Sequence, residues 1–160
     1  MVKKKEKKII KEMKKMYVRL QKKYKLPSFD ELNKEFEIEK AFEEETSFLL
    51  RHIKKIMIEK LIAYLNFYDG LFIGQRPSFM FVAKNISSDE KEKITKIAKE
   101  IVKIVTEDFL INELEVNEVK GAEMIKKIYV KWKELKKDML EIGKSITKEF
   151  SKKKQLKYLG

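Results

Sequence analysis

The first 25 residues carry apolar side chains at a helical period, with lysines between them. The apolar positions follow one another at steps of three, four, three and four residues, which places them on one face of an α-helix. These residues are Ile10, Met13, Tyr17, Leu20 and Tyr24. Pro27 ends the element, because the residue before a proline is disfavoured in helical conformation. The pattern predicts a helix over residues 3–25.

A second and broader apolar stripe runs from Phe42 to Tyr68. It predicts a long helix over residues 39–69, ended by a glycine. From Leu61 onward this helix is apolar nearly all round, so we expect the helix to be the central and most buried element of the protein. Residues 70–87 follow no helical period. They predict an irregular connection, for which a short strand, an extended plug or a loop all fit.

Two serines each stand three residues ahead of a glutamate, the capping-box arrangement that marks a helix start. Ser28 and Glu31 open a short helical piece before the second long helix. Ser87 and Glu90 open a third long helix, predicted over residues 88–111. Acidic residues in the first turn of this third helix also suit the positive end of the helix dipole.

The last helix, predicted over residues 118–150, has the clearest periodicity. Seven apolar residues step by three and four over three heptads, which is the pattern of a helix-packing seam. They are Ile125, Ile128, Trp132, Leu135, Met139, Ile142 and Ile146. The seam suits the core of a bundle, which we expect, or a dimer interface. Gly143 costs about 1 kcal/mol here against alanine, so we expect close approach of a neighbouring helix, with a hinge as the alternative.

Together these elements predict an all-α protein. We expect an antiparallel bundle of about four helices in a single domain over residues 1–160, with frayed basic N-terminal residues and a frayed tail at 151–160. The length suits one domain, and five glycines with two prolines leave few turns. The most apolar window contains Asp69 and Arg76, which argues against a membrane span. No signal peptide is apparent, so we expect a cytoplasmic location.

The net charge of +12 is the strongest compositional signal. Such a charge attracts polyanions. Of the 38 basic residues only three are arginine, however, and a surface rich in lysine and glutamate is also typical of an AT-rich genome or a thermophile. Lysine meets phosphates as a point charge and lacks the bidentate geometry that distinguishes bases. The composition therefore fits a merely solvated surface or phosphate contacts without sequence preference.

The sequence carries no recognisable catalytic centre. It has no cysteine, so thiol chemistry is excluded. His52 is its one histidine, and nothing in the sequence supports a nucleophile activated by it. The glutamates between residues 35 and 45 lack the glutamate–histidine spacing of a di-iron bundle. We expect no enzymatic activity, no metal and no cofactor.

In an up-down-up-down bundle the charges sort by end. Residues 30–45 hold eight acids against two lysines, and residues 107–118 hold five acids and no base, so both would form an acidic pole. The N-terminal lysines, the 70–87 connection and the C-terminal tail would form a basic pole. The residues expected to contact a polyanion there are Lys3, Lys4, Lys5, Lys7, Lys8, Arg76, Lys84, Lys152, Lys153, Lys154 and Lys157.

Phe79 and Phe81 follow Arg76 in the irregular connection. Aromatic side chains beside an arginine can stack on unpaired bases. The alternative, which we expect, is that they plug the end of the helical core.

Two function classes follow from these patterns. The first is a non-enzymatic helical binding module that contacts nucleic acid non-specifically through the basic pole. The alternative is a structural or scaffold protein that engages an acidic or other protein partner, or that self-associates through the helical seam, as a monomer or homodimer. Salt separates the two, because phosphate contacts weaken steeply as the salt concentration rises.

Overall fold

A computed structural model of the protein describes residues 2–42, 47–73, 80, 82–112, 114 and 117–157. For residues 2–7, 73, 111–112 and 149–157 it gives the backbone alone. Every regular element in these ranges is helical, and none of them contains a strand. The predicted all-α class is therefore confirmed. A search of the described helices for an apolar stretch that could cross a membrane finds none.

Four long helices and one short helix make up the described chain. They are α1 (Val2–Tyr24), α2 (Phe29–Phe36), α3 (Leu49–Ile73), α4 (Ser88–Glu107) and α5 (Glu118–Lys157). A 3-10 segment, Ile38–Phe42, precedes α3, and a π-helical turn, Asp108–Asn112, follows α4. The four long helices correspond to the four that the apolar periodicity predicts.

Both predicted capping boxes are formed. The Ser28 hydroxyl accepts from the Glu31 amide at 3.2 Å, and the Glu31 carboxylate accepts from the Ser28 amide at 2.9 Å. At the start of α4 the same two bonds join Ser87 and Glu90, at 3.2 and 2.8 Å. The Ser145 hydroxyl, with the Ser87 donors, also holds the pKa of Glu90 below its usual range. The sequence signature therefore locates the start of α4 correctly.

The predicted start of the second long helix at residue 39 is wrong, since α3 begins at Leu49. Glu37 adopts a left-handed conformation (φ 57°) and ends α2, donating its amide to the Asn33 carbonyl at 2.8 Å. The Asn33 side chain then accepts the Glu39 amide at 2.8 Å. These bonds close a tight turn, and the next residues form the 3-10 segment, whose Ile38, Ala41 and Phe42 are buried.

The other boundaries differ in the opposite direction. α3 continues through Gly70 to Ile73, and Met80, Val82 and Ala83 are also helical, so part of the connection predicted to be irregular is helix. Residues 74–79 and 81 lie outside the described chain. α5 continues to Lys157, seven residues beyond the predicted end near residue 150.

The contacts within the chain divide it into two compact units. Unit 1 comprises Met1–Leu61 and Ile104–Lys131, and unit 2 comprises Ile62–Lys103 and Trp132–Gly160. Each unit therefore combines segments that are far apart in the sequence.

Unit 1 is built around aromatic contacts between α1, α2 and the 3-10 segment. Tyr17 and Phe42 are fully buried, and Phe29 lies between them, edge-on to Tyr17 at 6.1 Å and stacked on Phe42 at 5.2 Å. The Tyr17 hydroxyl donates to the Pro27 carbonyl at 2.7 Å, so the one polar atom of this buried ring has a partner. Burial, with the nearby Glu31 carboxylate, raises the pKa of Tyr17. The apolar face predicted for α1 thus supplies this core.

The predicted α5 seam is buried within the single chain. Its first two residues lie in unit 1, and the Tyr64 and Trp132 rings meet in unit 2 at 5.5 Å between centroids. The buried seam residues are Ile125, Ile128, Trp132, Leu135, Met139 and Ile142. A seam that is already covered inside the chain is core, so the bundle-core interpretation is confirmed and self-association through these residues is not supported.

The close helix approach expected at Gly143 is wrong. A Cβ added at this exposed glycine would meet no atom within 4 Å in the part of the chain that the structure describes. The apolar end of α3 is nevertheless not covered all round, because Phe67 and Phe72 are almost half exposed. Tyr68 and Leu71 on this part of α3 are buried, so the helix end is covered on part of its circumference only.

The buried Tyr68 gives a test of the unit 2 core. Burial, with a smaller contribution from Tyr64, raises the pKa of Tyr68 from 10.0 to about 12. Between these two pH values the unfolded chain loses the Tyr68 proton and the folded chain keeps it. The contribution of Tyr68 to the free energy of unfolding is therefore complete below pH 10 and is lost as the pH rises towards 12. We expect Tyr68→Phe to flatten the fall in unfolding free energy over that range, measured by urea unfolding. Parallel curves for the two proteins would contradict this origin.

Candidate polyanion-binding surface

The residues predicted to bind polyanions fall into three groups. Residues 3–8 lie on the first turns of α1 in unit 1, where Lys8 is exposed. Lys84 is exposed in the turn before α4, and the predicted lysines between 152 and 157 lie on the last turns of α5, all in unit 2. Arg76, Phe79 and Phe81 lie outside the described residues. The predicted N-terminal lysines therefore belong to α1 in unit 1, whereas Lys84 and the C-terminal lysines belong to unit 2.

The basic residues of α1 continue along one face of the helix, which we call the α1 basic face. Its members are Lys8, Lys11, Lys15, Arg19 and Lys22, and all five are exposed. Their steps of three, four, four and three residues keep them within an arc of about 80° and spread them over about 21 Å of helix. A row of cations at this pitch can follow a row of phosphates.

The five residues of the α1 basic face form no ion pair with any residue that the structure describes. Glu12 is the only acid between residues 7 and 25, and it lies beside the face. Lys11, Lys15 and Arg19 instead line a shallow open groove along α1 together with Ile10 and Val18. The charge of this face is therefore not cancelled locally.

Four acidic side chains of unit 1 are, by contrast, paired with lysines from other elements. Residues that the segment count places in the acidic pole pair with lysines from α1, α3 and α5. The pairs are Glu39 with Lys14 at 3.2 Å, Glu118 with Lys23 at 3.0 Å, Asp108 with Lys54 at 2.6 Å, and Glu107 with Lys127. Counting charges by segment leaves out these lysines, which other elements bring to the carboxylates. No residue of the α1 basic face takes part in these pairs.

At the end of α1, Lys23 and Tyr24 both bind the Glu118 carboxylate. The Tyr24 hydroxyl donates to Glu118 at 2.5 Å, and the Lys23 ammonium donates to the same carboxylate oxygen. These two bonds hold the pKa of Glu118 below its usual range. Hydrogen bonds with Tyr24 and Glu118 raise the pKa of Lys23. Lys22, the preceding residue, is exposed on the other side and takes no part in this group.

Unit 1 also contains a buried ion pair. The Lys54 ammonium of α3 is 2.6 Å from the Asp108 carboxylate, and their side chains are 4% and 9% exposed. Asp108 begins the π-helical turn, a rare conformation that is frequent at functional positions. Both ions are shielded from solvent, so their role is in holding this turn and not in binding a soluble polyanion.

The described residues hold no group of three metal-binding side chains. His52 is exposed on α3. The groove on α1 offers cationic and apolar side chains, which suit an anionic ligand.

Sequence reasoning missed most of the α1 basic face because it summed charges by segment. The signal was present as the spacing of Lys11, Lys15 and Arg19, which lies opposite the apolar row containing Met13 and Tyr17. Lys54 was also missed. It sits four residues after Leu50 and four before Ile58, on the buried side of α3. The spacing alone could have placed Lys54 on the buried side of α3, but it could not have identified Asp108 as the partner of Lys54.

Comparison with models of known protein families, with curated proteins and with solved structures finds no match to this chain.

Proposed function

We propose that this protein is a non-enzymatic helical module that binds nucleic acid through the phosphate backbone, using the α1 basic face. The observation that carries the proposal is the contrast within unit 1. Several lysines elsewhere in the unit are paired with carboxylates, whereas five aligned cations on α1 have no such pair among the described residues. The lysines at positions 3–8 would lengthen this surface.

The chemistry of the face favours phosphates over base edges. Four of its five members are lysines, which act as point charges, and Arg19 is the only guanidinium capable of bidentate recognition. Binding should therefore tolerate any sequence. Non-specific binding of this kind typically has a dissociation constant of about 10⁻⁴ to 10⁻⁶ M at physiological salt.

Salt dependence provides the test. If all five residues contact phosphates of duplex DNA, the logarithm of the association constant should fall against the logarithm of the salt concentration with a slope of about −4 to −5. Replacing Lys11, Lys15 and Arg19 with glutamine should reduce that slope by about three units and weaken binding at low salt. Fluorescence anisotropy with a labelled duplex of arbitrary sequence measures both quantities.

A matched control variant distinguishes the effect of the α1 basic face on binding from the effect of net charge. Replacing Lys91, Lys96 and Lys148 with glutamine removes the same charge from exposed positions of unit 2. We expect this variant to bind nearly as the unchanged protein does. Equal losses in the two triple variants would show that only net charge matters, and the assignment to α1 would be wrong.

The scaffold alternative keeps one supporting observation. Its route through the α5 seam is not supported, because the seam is buried. Large apolar side chains are nevertheless exposed elsewhere on both units, and they suit a protein contact.

A further inference from the structure

Unit 2 carries an open groove between α3 and α4. Its apolar walls include Leu65 and Phe72 from α3 and Ala98 and Val102 from α4, and its volume is about 430 Å³. Phe72 and Val102 are 44% and 46% exposed, so a ligand in the groove would remove apolar surface from water. A concave, mostly apolar surface of this volume is typical of a small-molecule site.

Charged side chains lie at the two edges of the groove. Lys99 and Lys103 are about one turn apart on α4, roughly 6 Å along the helix axis, and both are exposed. Asp69 lies on the α3 side. None of these three side chains forms an ion pair with a residue in the described part of the chain. The two ammonium groups are therefore not neutralised by Asp69 and stay available at the α4 edge.

The charges and the apolar walls together select the chemistry of a ligand. An anionic group is attracted by Lys99 and Lys103 and repelled by Asp69, so it should lie at the α4 edge. The walls then suit an alkyl chain attached to that group, because burying methylene groups is favourable and needs no hydrogen-bonding partner. A compact anion would leave the walls exposed, and a neutral hydrocarbon would leave the lysines unused. The groove therefore fits an amphiphile with one anionic end.

We propose that this groove binds a single long-chain carboxylate, with the alkyl chain against the apolar walls and the carboxylate beside Lys99 and Lys103. Its volume of about 430 Å³ lies towards the lower end of the range for ligand pockets, about 300–1,000 Å³, which suits one alkyl chain. All the residues of the groove belong to unit 2. The inference is independent of the nucleic-acid proposal, since the groove includes no residue of the α1 basic face.

Isothermal titration calorimetry with octanoate, decanoate and dodecanoate, each below the concentration at which it forms micelles, tests the apolar part of the site. We expect one molecule bound per protein chain. The affinity should rise by about two- to fourfold with each added methylene group, because each buried methylene contributes its transfer free energy. Decylammonium, which carries a positive charge on a chain of the same length as decanoate, should bind more weakly than decanoate by about threefold or more.

Two charge variants test the position of the carboxylate. Lys99→Gln combined with Lys103→Gln should weaken decanoate binding by about three- to tenfold, since each exposed ion pair contributes modestly. Lys144→Gln combined with Lys148→Gln removes the same charge at the same spacing from exposed positions of α5 in unit 2. This control variant should bind decanoate as the unchanged protein does.

Two further variants test the walls of the groove. Val102→Glu should weaken decanoate binding by about tenfold or more, because it places a carboxylate where the alkyl chain would lie. Val130→Glu makes the same change at a similarly exposed valine of unit 1 and should have no effect on binding. Both valines are exposed, so the fold should tolerate the changes, and circular dichroism checks this.

Four results would overturn the proposal. One is that the unchanged protein binds none of the three carboxylates at millimolar concentration, which would leave the groove to a partner of different chemistry. Another is an affinity that does not change with chain length, or the binding of many molecules per protein chain. A third is equal weakening in the two lysine variants, which would show that net charge alone attracts the carboxylate. The last is unchanged binding by the Val102→Glu protein.

Discussion

Replacing Asp108 with asparagine is expected to lower the free energy of unfolding by about 3–5 kcal/mol. The carboxylate compensates the charge of Lys54 at 2.6 Å in a position that solvent hardly reaches. Removing one partner of a buried pair leaves the other ion in a medium that solvates it poorly. Urea unfolding followed by circular dichroism measures the loss.

Two further variants show whether burial is the cause. Glu107→Gln removes the neighbouring carboxylate, whose pair with Lys127 is partly exposed, and should cost no more than about 1 kcal/mol. The double variant Lys54→Met with Asp108→Leu removes both buried charges, and it should recover most of the stability lost in Asp108→Asn. If the double variant were less stable than Asp108→Asn, the pair would be stabilising in itself, and our explanation of the loss would fail.

Replacing Leu135 with alanine is expected to cost about 2–5 kcal/mol, since this side chain is 6% exposed in the unit 2 core. The loss combines the transfer free energy of the removed methyl groups with the cavity left behind. Leu140→Ala makes the same chemical change five residues later on α5, where the side chain is 53% exposed. It should change stability by no more than about 0.5 kcal/mol.

Unfolding measured at several protein concentrations shows whether the α5 seam packs within one molecule or between two. In a core seam the stability of the protein and its loss in Leu135→Ala do not depend on protein concentration. A loss that vanished in dilute solution would mean that the seam packs between molecules, contrary to its burial in the single chain.

Features fixed by neighbours in the sequence were predictable here. The capping boxes at Ser28 and Ser87 are local hydrogen-bonding patterns, and the structure forms both. The apolar row of α5 likewise identifies its buried side, because helical geometry alone determines which residues share a face. Local chemistry and periodicity therefore give the elements and the side of each that faces the core.

Features that depend on which elements meet were not predictable in the same way. The all-round apolar end of α3 indicates that neighbours are needed, but the number available depends on the tertiary arrangement, and Phe72 remains exposed. Lys54 and Asp108 are 54 positions apart, so no spacing rule joins them. The turn at Glu37 is hidden because a non-glycine residue in left-handed conformation leaves no signature in composition.

The lysines of this protein differ in their accessibility to amine chemistry. The Lys54 side chain is 4% exposed and lies against a carboxylate, so an acylating reagent in solution hardly reaches it. Lys8, Lys11, Lys15 and Lys22 are exposed primary amines. Acetylation converts each of these ammonium groups to a neutral amide. The Arg19 guanidinium is not a primary amine, so complete acylation of the α1 basic face would reduce its five positive charges to one.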